Sequence, residues 1–395
     1  MTSSGSFADG LNEQREATVQ RAETAPHPDD QRKPRYVRQI SRSSWWYAIR
    51  RTAFGFMVSL GMDAAGALTY YSVLSLFPAL LALVATLGLV GQGRATTEWI
   101  VRFLSRYAPP DVVDLLRGPV ENLTNASGAG IVFVIAVLVA VWSASGYVAA
   151  FGRVANDVYG VVEGRPLWRV IPTNVFLMVL TLVFGAFFML TVLTSTEVVR
   201  YLGTAIGLAQ QTQDIWNAIK WPILGLGAIC YTSLIYYATP NVRQPRFRWI
   251  STGSSLALVI MAAAVFLFTQ YVIRFGRFNA MYGVVGSVTV LLLVLWLANV
   301  ALVLGVRLDA ELERVRELQA GIAAEERLQL PPRDERMAIA TGRTQQRFVE
   351  QGRAIRERYA HIDYAAENAS PSDPPEPGPE ADAGSCDGGS GASRA

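Results

Sequence analysis

Three polar residues, Arg153, Asn156 and Asp157, close a long apolar stretch at spacings of three and four, which places them on one helical face. A charge at bilayer depth costs roughly 2.5–3.5 kcal/mol on insertion scales, so charges in such places tend to line cavities. The trio therefore reads as a polar mouth on the cytoplasmic side, or equally as a routine interfacial cluster. Arg243, Arg277, Asn279 and Tyr282 stand at comparable junctions and complete a set of seven candidates for lining a substrate path. Pro78 lies inside the first apolar stretch. Its ring removes the bond to the Leu74 carbonyl and kinks a helix there. Ser72 and Ser75 are placed to satisfy the freed groups. A hinge and an ordinary packing kink both account for it.

Other chemistries lack their residues. The histidines are His27 and His361, both in polar tails, and no cluster of His, Asp and Glu has metal-ligand character. No phosphate-binding loop ends in Gly-Lys-Ser/Thr, and no Gly-x-Ser-x-Gly elbow occurs. No cofactor is expected. A net charge of +3 gives no reason to expect a nucleic-acid partner. Cys230 falls in an apolar stretch and Cys386 in a polar tail, so no disulfide is expected.

The elements that must position these residues are read from charge-poor windows at 67–90, 131–150, 171–194, 221–238, 250–273 and 284–306. A helix of about 20 apolar residues spans a bilayer core, and a lone strand would leave its backbone unpaired in lipid, so the expected fold is all-α, with about six transmembrane helices. The first 43 residues are polar, so a cleavable leader is not expected and the first span acts as an anchor. Arg42, Arg50 and Arg51, then Arg153, Arg165 and Arg169, then Arg243, Arg246 and Arg248, then Arg307, Arg314 and Arg316 all fall on one side of six spans. By the positive-inside rule both termini are cytoplasmic.

Around this membrane domain, residues 41–315, the chain divides into a disordered arm at 1–40, charged cytoplasmic helices at 316–369 and a disordered tail at 370–395. Trp45, Trp46, Ile49, Phe54 and Phe56 mix with arginines over 41–62, which suits an interfacial helix or simply the flank of the first span. Residues 97–107 and 111–123 read as short helices between spans one and two, and 308–328 and 333–366 as charged helices with a solvated face. Phe151-Gly152-Arg153 and Tyr159-Gly160 recur as Phe275-Gly276-Arg277 and Tyr282-Gly283. With three spans per half, this is the pattern of an inverted 3+3 repeat with a site near the midplane. Chance similarity among aromatic, Gly-rich segments produces the same matches.

Several ordered blocks resemble the YihY/BrkB family of bacterial inner-membrane proteins. The run Ala67-Leu-Thr-Tyr-Tyr-Ser-Val-Leu-Ser-Leu-Phe-Pro78 is similar to its first-span signature, and Trp142-Ser-Ala-Ser-Gly146 leading to Asn156 and Tyr159-Gly160 to its second block. Pro240-Asn-Val-Arg243, Trp249, Gly253, Tyr282-Gly-Val-Val-Gly286 and Gly305-Val-Arg-Leu-Asp-Ala-Glu311 resemble its third. The resemblance covers residues 45–315 and implies a multi-pass protein of the bacterial plasma membrane. Members were once labelled ribonuclease BN, a label that the residues present here do not support. The resulting expectation is transport or export of an amphipathic or lipid-like envelope component, with membrane lipids as partners. The alternatives are an envelope scaffold that binds other envelope proteins through its C-terminal helices and, behind it, a membrane-bound ribonuclease.

Overall fold

The computed structural model describes residues 3–59, 61–90, 129–193, 209–245, 250–275 and 278–360. The expected helices at 97–107 and 111–123, Arg277, Cys386 and the tail from 370 lie outside these residues. Two compact units are present, residues 1–342 and 343–395.

The first unit is all-α among its described residues. In chain order its helices are α1 (Ser3–Thr24), α2 (Arg42–Val58), α3 (Gly61–Val90), α4 (Ala129–Val158), α5 (Leu167–Leu193), α6 (Ala209–Ala238), α7 (Thr252–Phe275) and α8 (Phe278–Gln319). A further helix, α9 (Arg336–Tyr359), begins in this unit and ends in the second. Four segments are long and apolar enough to cross a bilayer: Leu167–Gly185, Asp214–Ala238, Thr252–Gln270 and Val288–Gln319. At most 22% of any of these windows is buried within the protein, so their apolar side chains face outward, as lipid-facing helices require. The windows expected at 67–90 and 131–150 fall in α3 and α4, each 30 residues long. The helix α3 continues across position 78, and the Pro78 ring lies among side chains that are not described.

Packing follows small residues and a few buried polar bridges. The pairs α3–α4, α7–α8 and α3–α8 make the most extensive contacts. Gly253 of α7 meets Gly305 of α8 so closely that a Cβ on either would overlap the other's backbone carbonyl. The carboxylate of Asp309, one turn further along α8, accepts from the Gly253 amide at 2.7 Å and from the Ser251 hydroxyl at 2.5 Å. It therefore caps the start of α7. Asn299 ties three helices. It accepts from the Tyr147 hydroxyl at 2.9 Å, and its amide donates to Thr69 and Ser72, each at 3.3 Å. Such polar bridges hold together apolar helices that hydrophobicity alone would not pair in lipid.

The structure differs from the sequence reading at both polar ends. Residues 3–24 form a helix where a disordered arm was expected, and Arg21 shows why. Its guanidinium donates to the carbonyls of Ala17, Tyr159, Gly160 and Leu328 and is buried among them. Burial holds its pKa down at about 10, still far above neutral pH. Lys33 is buried too and bonds Glu313 at 3.0 Å and Glu317 at 3.2 Å. The segment 308–328 is correspondingly not a solvated face. Glu311, Glu313, Arg314 and Glu317 are all buried. At 42 residues α8 is about 63 Å long, twice a bilayer core, so its far end is free to pack against the arm and not against lipid.

Candidate functional site

The α4 terminus is built by Gly160, whose φ of 61° lets the chain reverse while the Gly160 and Val161 amides donate back to Asp157 and Asn156 carbonyls. The predicted trio lies before this turn, within α4, and differs in burial. Asn156 is buried and structural. Its side-chain carbonyl accepts from the Asn241 amide at 2.6 Å, and its own amide donates to Glu163 at 3.1 Å. Asn241 in turn bridges Val162 and Asp334. Arg153 and Asp157, about 60° and 100° around α4 from Asn156, are exposed.

Arg153 and Asp157 belong to a polar row crossing four helices. Arg153 donates to the Tyr71 hydroxyl of α3 at 3.4 Å, its guanidinium carbon 5.8 Å from the ring centroid. Asp157 lies within electrostatic reach of Arg307 on α8. Arg307 donates to the Ser59 hydroxyl at the end of α2, and its Nε is buried with no hydrogen-bond partner. Arg51 pairs with Glu311 at 3.1 Å, which also pairs with Arg314 at 2.9 Å. Arginines outnumber acids in this row, so it presents a net positive surface.

The helix α2 flanks the row and is two-sided. Ala48, Thr52 and Phe56 are buried, and Gly55 lies directly against the Arg307 guanidinium. Trp46, Ile49, Phe54 and Met57 are exposed, Met57 to 80%. Arg50 shares the exposed face with these apolar side chains, while the buried face is uncharged and rests beside Arg307 of α8. The arrangement suits contact with a molecule that has one charged and one apolar end.

The other predicted residues do not join this row among the described contacts. Arg243 is held through its backbone, whose amide donates to the Pro331 carbonyl at 2.9 Å beside a Val242–Pro332 bridge. Asn279 and Tyr282 fall in the first turns of α8, where side chains are not described, and Arg277 is outside the described residues. A second opening, a cleft of about 120 Å³, lies between the ends of α6, α7 and α8, lined by residues that include Tyr159, Tyr236, Ser251 and Asp309. Asp309 is committed there to capping α7. Among the described residues no group of three or more His, Cys, Asp or Glu is placed to hold a metal ion.

Sequence reading missed Lys33, Asn241, Glu313 and Glu317. Glu313 and Glu317 stand four apart, a like-charge pair on one helix face that calls for a cation between them. That is the signal available for Lys33. For Asn241 the signal was its place in the family-like block Pro240-Asn-Val-Arg243.

The loop at Asp334 supplies a pH prediction. Hydrogen bonds from Arg336, with the nearby charge of Arg169, hold the Asp334 carboxyl below its ordinary range. A lowered folded pKa contributes stability above the unfolded value near 3.9, and that stability is lost as pH falls through the folded value. Asp334→Asn should cost about 0.2–1 kcal/mol at pH 7, both arginines being largely exposed. Thermal unfolding of the variant and the parent should converge as pH falls through the lowered folded value. A gap that persists unchanged there would contradict the assignment.

Comparison with known proteins agrees with this architecture. The family model described as Virulence factor BrkB matches residues 56–329. A ribonuclease-like protein, YfkH of Bacillus subtilis, is 27% identical over 261 residues, covering 65% of this chain and 92% of that protein. The UPF0761 membrane protein IL2447 of Idiomarina loihiensis is 25% identical over 199 residues, 49% of this chain and 64% of its own. A UPF0761 membrane protein of Histophilus somni strain 129Pt is 22% identical over 267 residues, 66% of this chain and 88% of its own. No solved structure matches.

Proposed function

We propose that this chain, which belongs to the BrkB family, is a bacterial plasma-membrane transporter or exporter of an amphipathic, lipid-like envelope component. The membrane character is general to its relatives and its helices; the cargo is our reading. It crosses the bilayer six times, through α3 to α8, with both termini in the cytoplasm, as the distribution of arginines supports. The halves α3–α5 and α6–α8 are inverted repeats in this reading, supported by the recurrence of Phe-Gly-Arg and Tyr-Gly at 151–160 and 275–283.

One observation carries the cargo assignment. Arg307 holds a buried, unpartnered Nε beside Asp157, directly under a helix whose outer face is apolar. A buried donor without an acceptor is costly, and an anionic headgroup entering along α2 supplies the acceptor while its chains stay against Trp46, Phe54 and Met57. Arg153 and Asp157 extend the path along α4. Arg243, Arg277, Asn279 and Tyr282 belong to the path at its further reaches, with Pro78 as its hinge.

Purified protein in vesicles carrying a fluorescent anionic phospholipid in one leaflet tests this. The parent protein should move the lipid at least about tenfold faster than Arg307→Gln, as loss of a charged hydrogen-bond donor implies. Equal rates for parent, variant and empty vesicles would overturn the reading.

The second reading, an envelope scaffold, has α9 in its favour, since Phe348 and Ile355 are exposed at 63% and 59%. Deleting 343–395 separates the readings in cells. A scaffold loses its phenotype and a transporter keeps most of it. The cut belongs at 343 because Leu328 and Leu330 are buried in the first unit. The ribonuclease reading, suggested by the name of YfkH, predicts RNA cleavage that a chelator abolishes.

A further inference from the structure

The second compact unit contains most of α9, and its described residues have a definite pattern. Phe348, Ile355 and Tyr359 are exposed at 63%, 59% and 47%. At about 100° per residue they fall within about 40° of one another around the helix. Arg347 and Arg358 lie roughly 80–100° to one side of this stripe, and Arg356 about 80° to the other. Glu350 and Glu357 stand on the opposite face, about 180–200° from Phe348. Between 343 and 359 there are five arginines and two glutamates.

This distribution is not that of a helix solvated on all sides, nor of one sealed into the protein. An apolar stripe edged by Arg347, Arg356 and Arg358, with Glu350 and Glu357 on the far side between Arg343 and Arg353, matches a bilayer surface that is apolar inside and anionic at its headgroups. Arginine stems lie along the apolar boundary while the guanidiniums reach phosphates. The glutamates, placed away, avoid like charge.

We propose that residues 343–359 bind the anionic phospholipid surface of the protein's own membrane as an in-plane amphipathic helix. The site comprises Phe348, Ile355 and Tyr359 as the inserted stripe and Arg347, Arg356 and Arg358 as its phosphate contacts. This binding is independent of cargo movement and holds whether or not the chain transports anything.

Hydrogen exchange on the full-length protein in nanodiscs tests it. Amides 345–358 should exchange at least about tenfold more slowly in discs with about a third phosphatidylglycerol than in pure phosphatidylcholine. The difference should largely vanish in about 0.5 M salt, where charges are screened beyond a few ångströms. Phe348→Ser with Ile355→Ser should remove it while leaving exchange in α8 unchanged. Equal exchange in the two lipids overturns the proposal. If exchange is fast in both, the helix is free, and if it is slow in both, it is covered by protein.

Discussion

Replacing Lys33 by methionine is expected to lower the unfolding free energy by about 3–5 kcal/mol, the cost of leaving a buried carboxylate without its cation. Lys33 is 1% exposed at its side chain and Glu317 is 0% exposed, so water does not reach the pair. Glu313 retains Arg316 at 2.5 Å when Lys33 is lost. Glu317 retains one hydrogen bond, from the amide of Gln329 at 2.8 Å, and the more distant charge of Arg21. The damage therefore falls on Glu317, and it is relieved by removing that charge as well. Lys33→Met combined with Glu317→Met should be more stable than Lys33→Met alone, because an apolar replacement of both partners is often near neutral. Thermal unfolding in detergent, with parent, single and double variants side by side, reads this directly. A double variant no better than the single would show that the arm is not docked on α8 through this pair.

Gly253→Ala is expected to cost about 2–5 kcal/mol, combining overpacking with loss of a helix cap. The added methyl would overlap the Gly305 carbonyl and the Asp309 carboxylate, neither of which is the far end of a flexible chain. The helix α7 must move away from α8, and the bonds of Asp309 to Ser251 and Gly253 break with it. Gly66→Ala provides the control. Nothing lies within 4 Å of a Cβ there, and alanine is favoured over glycine in a helix by about 1 kcal/mol. The yield of monodisperse protein and its melting temperature should fall for Gly253→Ala and hold for Gly66→Ala. Equal melting temperatures would mean that the α7–α8 contact is looser than described.

The apolar windows were legible because lipid demands a simple pattern, about 20 residues without charge. They locate α5 to α8 closely, and place α3 and α4 within the limits of their described side chains. The helix expected within 41–62 is α2, which has one buried and one exposed face. The charged ends were misread because composition records charge but not pairing. Lys33, Arg21, Glu313 and Glu317 resemble solvated residues until the fold brings together positions nearly 300 apart. One member of the α4 trio is engaged elsewhere for a related reason. Helical spacing places Asn156 near Arg153 and Asp157, but the Gly160 turn and the Asn241 loop claim Asn156 for structure. Arg307, counted in the sequence only among the arginines that set topology, lies within electrostatic reach of Asp157.

The most direct test of the lipid-handling account is photocross-linking from position 71, using benzoylphenylalanine in place of Tyr71, beside Arg153, in native membranes. The account predicts an adduct with a phosphate-bearing amphiphile, lost when Arg307→Gln is added although the protein remains folded. An adduct unchanged by Arg307→Gln, or cross-links to protein alone, would contradict it.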